Sequence, residues 1–123
     1  MDCTLIHKNI PVVDMQIDDA TGYIAKLWDV HDKRHLPLGI HEYATGIDRR
    51  ALNDWWIGRS TPATRDGIRD ALETLGVYST TLLLTKCYGL SLSDQYWICP
   101  KNSDLCWETI NFFHILIFHF SIL

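Results

Sequence analysis

An α+β fold, with a small N-terminal three-stranded antiparallel meander followed by short helices and an aromatic strand, is what the 123-residue chain predicts. Three features point to it. Val13, Met15 and Ile17 alternate with Asp14 and Gln16, the period of a half-buried strand. Leu52, Trp55 and Trp56 recur at helical spacing behind Asp48, a good N-cap. Tyr96, Trp97 and Ile98 form an aromatic run of high strand propensity, stopped by Pro100.

Along the chain, Thr4–His7 and Ile10–Ile17 read as strands joined by a tight turn at Lys8-Asn9. Pro11 lacks an N–H, so it should lie at an edge or face away from a partner. Asp18-Asp19-Ala20-Thr21-Gly22 supplies turn chemistry before a third strand at Tyr23–Trp28. From His31 to Gly46 there is no clear period, and a loop is expected. Its histidines His31, His35 and His41 lack the matched spacing of a metal set and read as exposed loop residues.

The helix opened by Asp48 should stop at Gly58. A second begins at Thr61-Pro62, a capping hydroxyl followed by proline at the first helical position, and ends at Gly76 after Ile68, Ala71, Leu72 and Leu75 mark one face. Ser79 to Gly89 reads as a short helix closed by glycine or as a buried strand, since periodicity does not separate the two, and Gly89 favours the helix. Ser91-Leu92-Ser93-Asp94 is turn-prone, Lys101–Asp104 is a surface turn, and a last helix starts after Asp104 as its cap. The final stretch, Phe112 to Leu123, carries no Asp, Glu, Lys or Arg. It is shorter than the roughly 20 apolar residues a span needs, so no membrane crossing is expected; it reads either as a segment that packs on its own domain or as an exposed apolar remnant that promotes self-association.

One domain is the expectation at this length. A formal charge of -4 offers no general attraction to nucleic acid or to an anionic membrane. No signal-peptide pattern opens the chain, so the cytoplasm is the expected compartment. Cys3, Cys87, Cys99 and Cys106 form no C-x-x-C pair and read as free, mostly buried thiols.

The strings Trp55-Trp56-Ile57-Gly58-Arg59-Ser60-Thr61-Pro62-Ala63-Thr64-Arg65, Gly89-Leu90-Ser91-Leu92-Ser93-Asp94-Gln95-Tyr96-Trp97, and Trp107 with Ile110-Asn111-Phe112-Phe113 resemble the N-terminal region of HipA-like bacterial Ser/Thr protein kinases. The resemblance covers about residues 1–113. It implies a module that precedes an ATP- and Mg²⁺-dependent kinase domain, often in toxin–antitoxin settings, with a kinase-domain or antitoxin-type protein as partner. Residues 114–123 depart from the pattern and read as a truncation or frameshift remnant.

Phosphoryl transfer needs a phosphate cradle, a cationic clamp, metal-binding carboxylates and a base. The chain has no Walker-type run, no Gly-x-Gly loop and no catalytic-loop Asp with a matching Asn, so no catalytic residue, cofactor or metal is expected. The residues with structural or partner-contact roles are Trp55, Trp56, Arg59, Arg65, Ser91, Ser93, Asp94, Tyr96 and Trp97. Ser91, Ser93 and Asp94 have short side chains suited to fixing the turn before the aromatic strand. Asp94 is expected to pair with Arg59 or Arg65. The large aromatics are expected mainly in the core, with a binding surface as the alternative use. A helix-turn-helix DNA-binding module is the competing reading of residues 48–76. Its five arginines there are matched by Asp48, Asp54, Asp66, Asp70 and Glu73, which removes the attraction to phosphate.

Overall fold

The computed structural model describes residues 1–43, 46–59, 80–86, 88–90 and 94–110. The helix expected from Thr61, Arg65, the Ser91–Ser93 turn and the apolar end of the chain lie outside the described residues.

The meander forms as its alternation requires. Strand β1 (Asp2–His7) turns at Lys8-Asn9 into β2 (Ile10–Ile17), which returns through β3 (Ile24–Val30). The tight turn needs a left-handed residue, and Lys8 takes that conformation at φ 60. Its N–H donates to the Gln95 carbonyl at 2.9 Å, and its own carbonyl accepts from Trp97 Nε1 at 2.8 Å. Two tertiary hydrogen bonds therefore hold a conformation that lysine disfavours.

Between β1 and β2 the register slips after Leu5, so that Ile6 faces Pro11. The extra residue is Val12, which explains why Val12 and Val13 are both buried. Pro11 lies past the last β3 partner, Val30, as its missing N–H requires. The turn after β2 is built on Asp18, whose Oδ1 accepts from the N–H groups of Ala20 and Thr21 at 2.8 and 2.9 Å.

The fourth strand of this sheet comes from far along the chain. After a 3-10 turn at Lys33–His35, the short strands β4 (Glu42–Tyr43) and β5 (Gly46–Ile47), helix α1 (Arg49–Gly58) and helix α2 (Thr80–Lys86), strand β6 (Tyr96–Pro100) pairs antiparallel with β1. The order is β3-β2-β1-β6, so the meander is three strands of a four-stranded sheet and β1 is central. The stretch expected to be plain loop between His31 and Gly46 is thus partly regular, with the 3-10 turn capped by the Asp32 side chain.

Each face of the sheet carries a core. On one face Leu5, Val13, Met15, Ile17, Ile24 and Ile98 pack with Leu52 and Trp56 of α1 and Leu84 of α2. On the other, Trp97 and Cys99 pack with Leu90, Trp107 and Ile110. Helix α1 starts at Asp48, whose Oδ1 accepts from Ala51 N–H at 3.1 Å, and it also closes the sheet edge. Asn53 Oδ1 accepts from Ile24 N–H at 2.8 Å, and Arg49 Nη1 donates to the Ile24 carbonyl at 3.2 Å. These contacts satisfy edge groups that would otherwise face water or another chain. At the opposite edge, Ile98 N–H donates to the Tyr88 carbonyl at 2.9 Å.

Two glycines mark close approaches. Gly22 has φ 77, and a Cβ there would lie 2.8 Å from the Thr81 carbonyl carbon, so α2 crosses directly over the β2–β3 turn. Gly89 has φ 68, and a Cβ would lie 2.6 Å from the Trp56 ring. Both positions need glycine for conformation and for space.

The helical stretch at 107–110 starts later than Asp104. Its first N–H is capped from outside the segment, by Asn9 Oδ1 accepting from Trp107 N–H at 3.0 Å. Asn9 Nδ2 also donates to Glu108 at 3.0 Å, so the β1–β2 hairpin takes the role expected of Asp104.

Candidate functional site: an Arg59-centred aromatic surface

Arg59 follows the last turn of α1 and turns its guanidinium back under the sheet edge. Its side chain is 5% exposed. Nη1 donates to Asp94 Oδ2 at 2.5 Å, Nε and Nη2 both donate to the Gly89 carbonyl at 3.1 and 2.6 Å, and Nη2 also reaches the Tyr96 carbonyl at 3.1 Å. The fork thereby satisfies two carbonyls and one carboxylate that come from a segment 30 or more residues away. Asp94 is fixed in turn, because its Oδ1 accepts from Tyr96 N–H at 3.0 Å and sets the turn into β6. The Asp94 pairing expected from sequence is made, with Arg59 as the partner.

Aromatic rings extend this knot outward. The guanidinium carbon lies 4.7 Å from the centre of the Trp55 ring, a cation–π contact on the i, i+4 face of α1. Trp55 meets Tyr96 edge-on at 5.3 Å. Tyr96 stacks on His7 at 4.3 Å and 17°, and its hydroxyl donates to the His35 carbonyl at 2.5 Å. His7 Nδ1 stands 2.9 Å from His35 Nδ1. Burial pushes the His7 pKa down, the neighbouring His35 lowers it further, and Asp94 opposes both. Burial also raises the Tyr96 pKa, with Asp94 adding to the rise, so the phenol stays protonated and donates.

The tryptophans and the tyrosine of the resembling strings therefore divide. Trp56, Trp97 and Trp107 are core residues. Trp56 Nε1 donates to the Gly22 carbonyl at 2.8 Å, which matches the rule that a buried indole finds an acceptor. Trp55 and Tyr96 are half-buried and line the surface beside His7 and His35.

A second polar group lies at the outer side of β1 and β2. Asp14 Oδ1 accepts from Thr4 Oγ1 at 2.7 Å and from His31 Nε2 at 3.0 Å. Burial pushes its carboxyl up, but the hydrogen bonds from Thr4 and His31, with Lys101 nearby, outweigh that and leave it below the ordinary carboxylate range. An open groove of about 540 Å³ adjoins it, lined by Ile6, Ile10, Pro11, His31, Cys99 and Lys101 among others. The thiols nearby are poor nucleophiles. Burial raises Cys99, and it pushes Cys3 up to about 12.

Sequence reasoning missed three elements of these sites. Nothing in the spacing joined His7 to His35, which lie 28 residues apart, or Thr4 to Asp14 and His31. The 52% exposure of Trp28, with Lys26 Nζ 5.5 Å from its ring centre, was not signalled either. Among the described residues, no group of three or more His, Cys, Asp and Glu side chains is placed to hold a metal ion. Among the same residues, no helix is long and apolar enough to cross a membrane. No family model matches the chain, and neither a curated protein nor a solved structure does.

Proposed function

We propose that the chain is a non-catalytic, protein-binding module of the HipA-like kind, which positions or regulates a kinase-domain partner in the cytoplasm and meets it through the Trp55–Tyr96–His7 surface. The single observation that carries this reading is the Arg59 knot. Two of the strings on which the resemblance rests, one ending α1 and one leading into β6, meet there through Arg59, Asp94 and the Gly89 and Tyr96 carbonyls. Arg59 from the first string and Asp94 from the second are committed to holding that junction. What they leave at the surface is an aromatic pair flanked by imidazoles, a composition common at the centres of protein interfaces.

Titration calorimetry of the chain against a purified HipA-like kinase domain tests the reading. The expected result is binding that Trp55→Glu weakens at least about tenfold while the far-ultraviolet circular dichroism is unchanged. Absence of any heat with the native chain, or equal affinity of the variant, overturns it.

A further inference from the structure

We infer that His7 and His35 form a proton-operated latch, which fastens the Lys33–His35 turn to the sheet while at least one of the two imidazoles is neutral and releases it when both are charged. The geometry is that of a hydrogen bond between rings. The two Nδ1 atoms are 2.9 Å apart and the ring centroids only 5.2 Å, which places both nitrogens near the line of centres and pointing at each other. Two metal ligands would instead converge on a third point. An N–H···N bond needs a lone pair on one nitrogen, so a doubly protonated pair loses the bond and gains a repulsion.

The surroundings offset a second proton only in part, because Asp94 favours a proton on His7 but is already committed to Arg59. Against His7 lie Tyr96 of β6, which is neutral, and Asp94, which already faces Arg59. On the turn itself Lys33 pairs with Glu42 and Arg34 with Asp32. His31, just before the turn, is engaged by Asp14 on the other side. No residue of the turn is buried, and the two backbone bonds within it are long, at 3.3 Å each. The His7 bond and the Tyr96 hydroxyl on the His35 carbonyl are thus a substantial part of what fixes it.

The direction with pH follows from proton counting. The folded-state pKa of His7 is lowered, so the unfolded or open state binds protons more readily. Closure is fully favoured above the ordinary histidine value of about 6.5 and is lost as pH falls from there through the lowered folded value. Opening removes the acceptor of the Tyr96 hydroxyl and changes the surface on which Trp55 and Tyr96 stand. The latch does not depend on the proposed kinase partner.

Nuclear magnetic resonance of the full chain between pH 8 and pH 5 tests it. The expected result is that the two rings titrate in two separated steps, as a coupled pair does. The lower step should coincide with loss of the nuclear Overhauser contact between Tyr96 and His35 and with an about tenfold fall in amide protection at Leu36 relative to β1, as a local opening produces. His7→Phe keeps the stack on Tyr96 and should abolish the lower step and the pH dependence of Leu36. His35→Asn should do the same if His7→Phe proves insoluble. Two independent single steps at ordinary values with an unchanged Tyr96–His35 contact would overturn the latch. So would both rings shifting together at one equivalent of Zn²⁺, since that would make the pair a metal site.

Discussion

Arg59 and Arg34 each bind a carboxylate, at 2.5 Å to Asp94 and 3.1 Å to Asp32, yet they belong to regions built on different principles. Arg34 is 86% exposed and its partner is two residues away, so its ion pair decorates a turn whose conformation the Asp32 cap already sets. Arg59 is 5% exposed and its partners lie 30 to 37 residues distant. Both distances lie within ion-pair reach. What separates them is how much backbone would lose its partner if the cation were removed: none of consequence for Arg34, and the Gly89 and Tyr96 carbonyls together with Asp94 for Arg59.

The comparison breaks first, if it breaks, at Arg59. Arg59→Met keeps the apolar stem under Trp55 but takes the donor from two carbonyls and leaves the half-buried Asp94 carboxylate with only the Tyr96 N–H. A loss of about 3 to 4 kcal/mol in unfolding free energy is expected, toward the lower part of the range for a severed buried pair because Asp94 still sees water. Arg59→Lys should recover less than half, since an ammonium lacks the planar fork that reaches both carbonyls. Urea denaturation followed by tryptophan fluorescence measures both. A loss below 1 kcal/mol for Arg59→Met would mean the knot is as dispensable as a surface pair.

Gly89→Ala probes the same junction from its other side. The new methyl would stand 2.6 Å from the Trp56 ring on a backbone at φ 68. Left-handed strain of about 1 kcal/mol and the overpacking of a buried ring combine to a loss of about 2 to 3 kcal/mol. Pairing this change with Trp56→Leu sharpens the test, because the ring's removal should relieve the clash and leave a clearly favourable coupling energy in a double-mutant cycle.

How much of this was legible in the sequence follows from the range of each interaction. The three meander strands, the Asp48 cap and the stop at Gly58 are set by neighbours a few residues apart, and alternation or capping chemistry announces them. The Arg59–Asp94 pair was legible for a different reason, since a partly buried carboxylate needs a partner and Arg59 and Arg65 were the two candidates. The pairing of β6 with β1, the cap that Asn9 gives to 107–110 and the meeting of His7 with His35 are set by how distant segments pack. No periodicity records them. The regular pieces between His31 and Ile47 were obscured because they are too short to show a period.

Lys8 tests whether tertiary hydrogen bonds, as at Arg59, hold a locally disfavoured conformation. With φ 60 and both its N–H and carbonyl engaged, the residue contributes its backbone, and its side chain is exposed. Lys8→Gly should therefore raise the unfolding free energy by about 0.5 kcal/mol, because relief of about 1 kcal/mol of left-handed strain outweighs the greater chain entropy of glycine in the unfolded state. A loss on substitution would show that the lysine side chain contributes more than its conformation costs.

The smallest effect belongs to Arg34, and it completes the contrast. Asp32 Oδ1 accepts from Arg34 N–H at 3.0 Å as well as from its guanidinium, and only the second of these contacts depends on the side chain. Arg34→Ala leaves the backbone bond, so the 3-10 turn keeps its cap. The carboxyl of Asp32 is held below its ordinary range mainly by the Arg34 side chain, so the variant should move that pKa upward while the denaturation midpoint stays within error. Carbon-detected titration of Asp32 and a urea curve read the two quantities separately. If the midpoint fell as it does for Arg59→Met, exposure would not be what distinguishes the two arginines, and the turn would have to be counted among the elements that hold the sheet together.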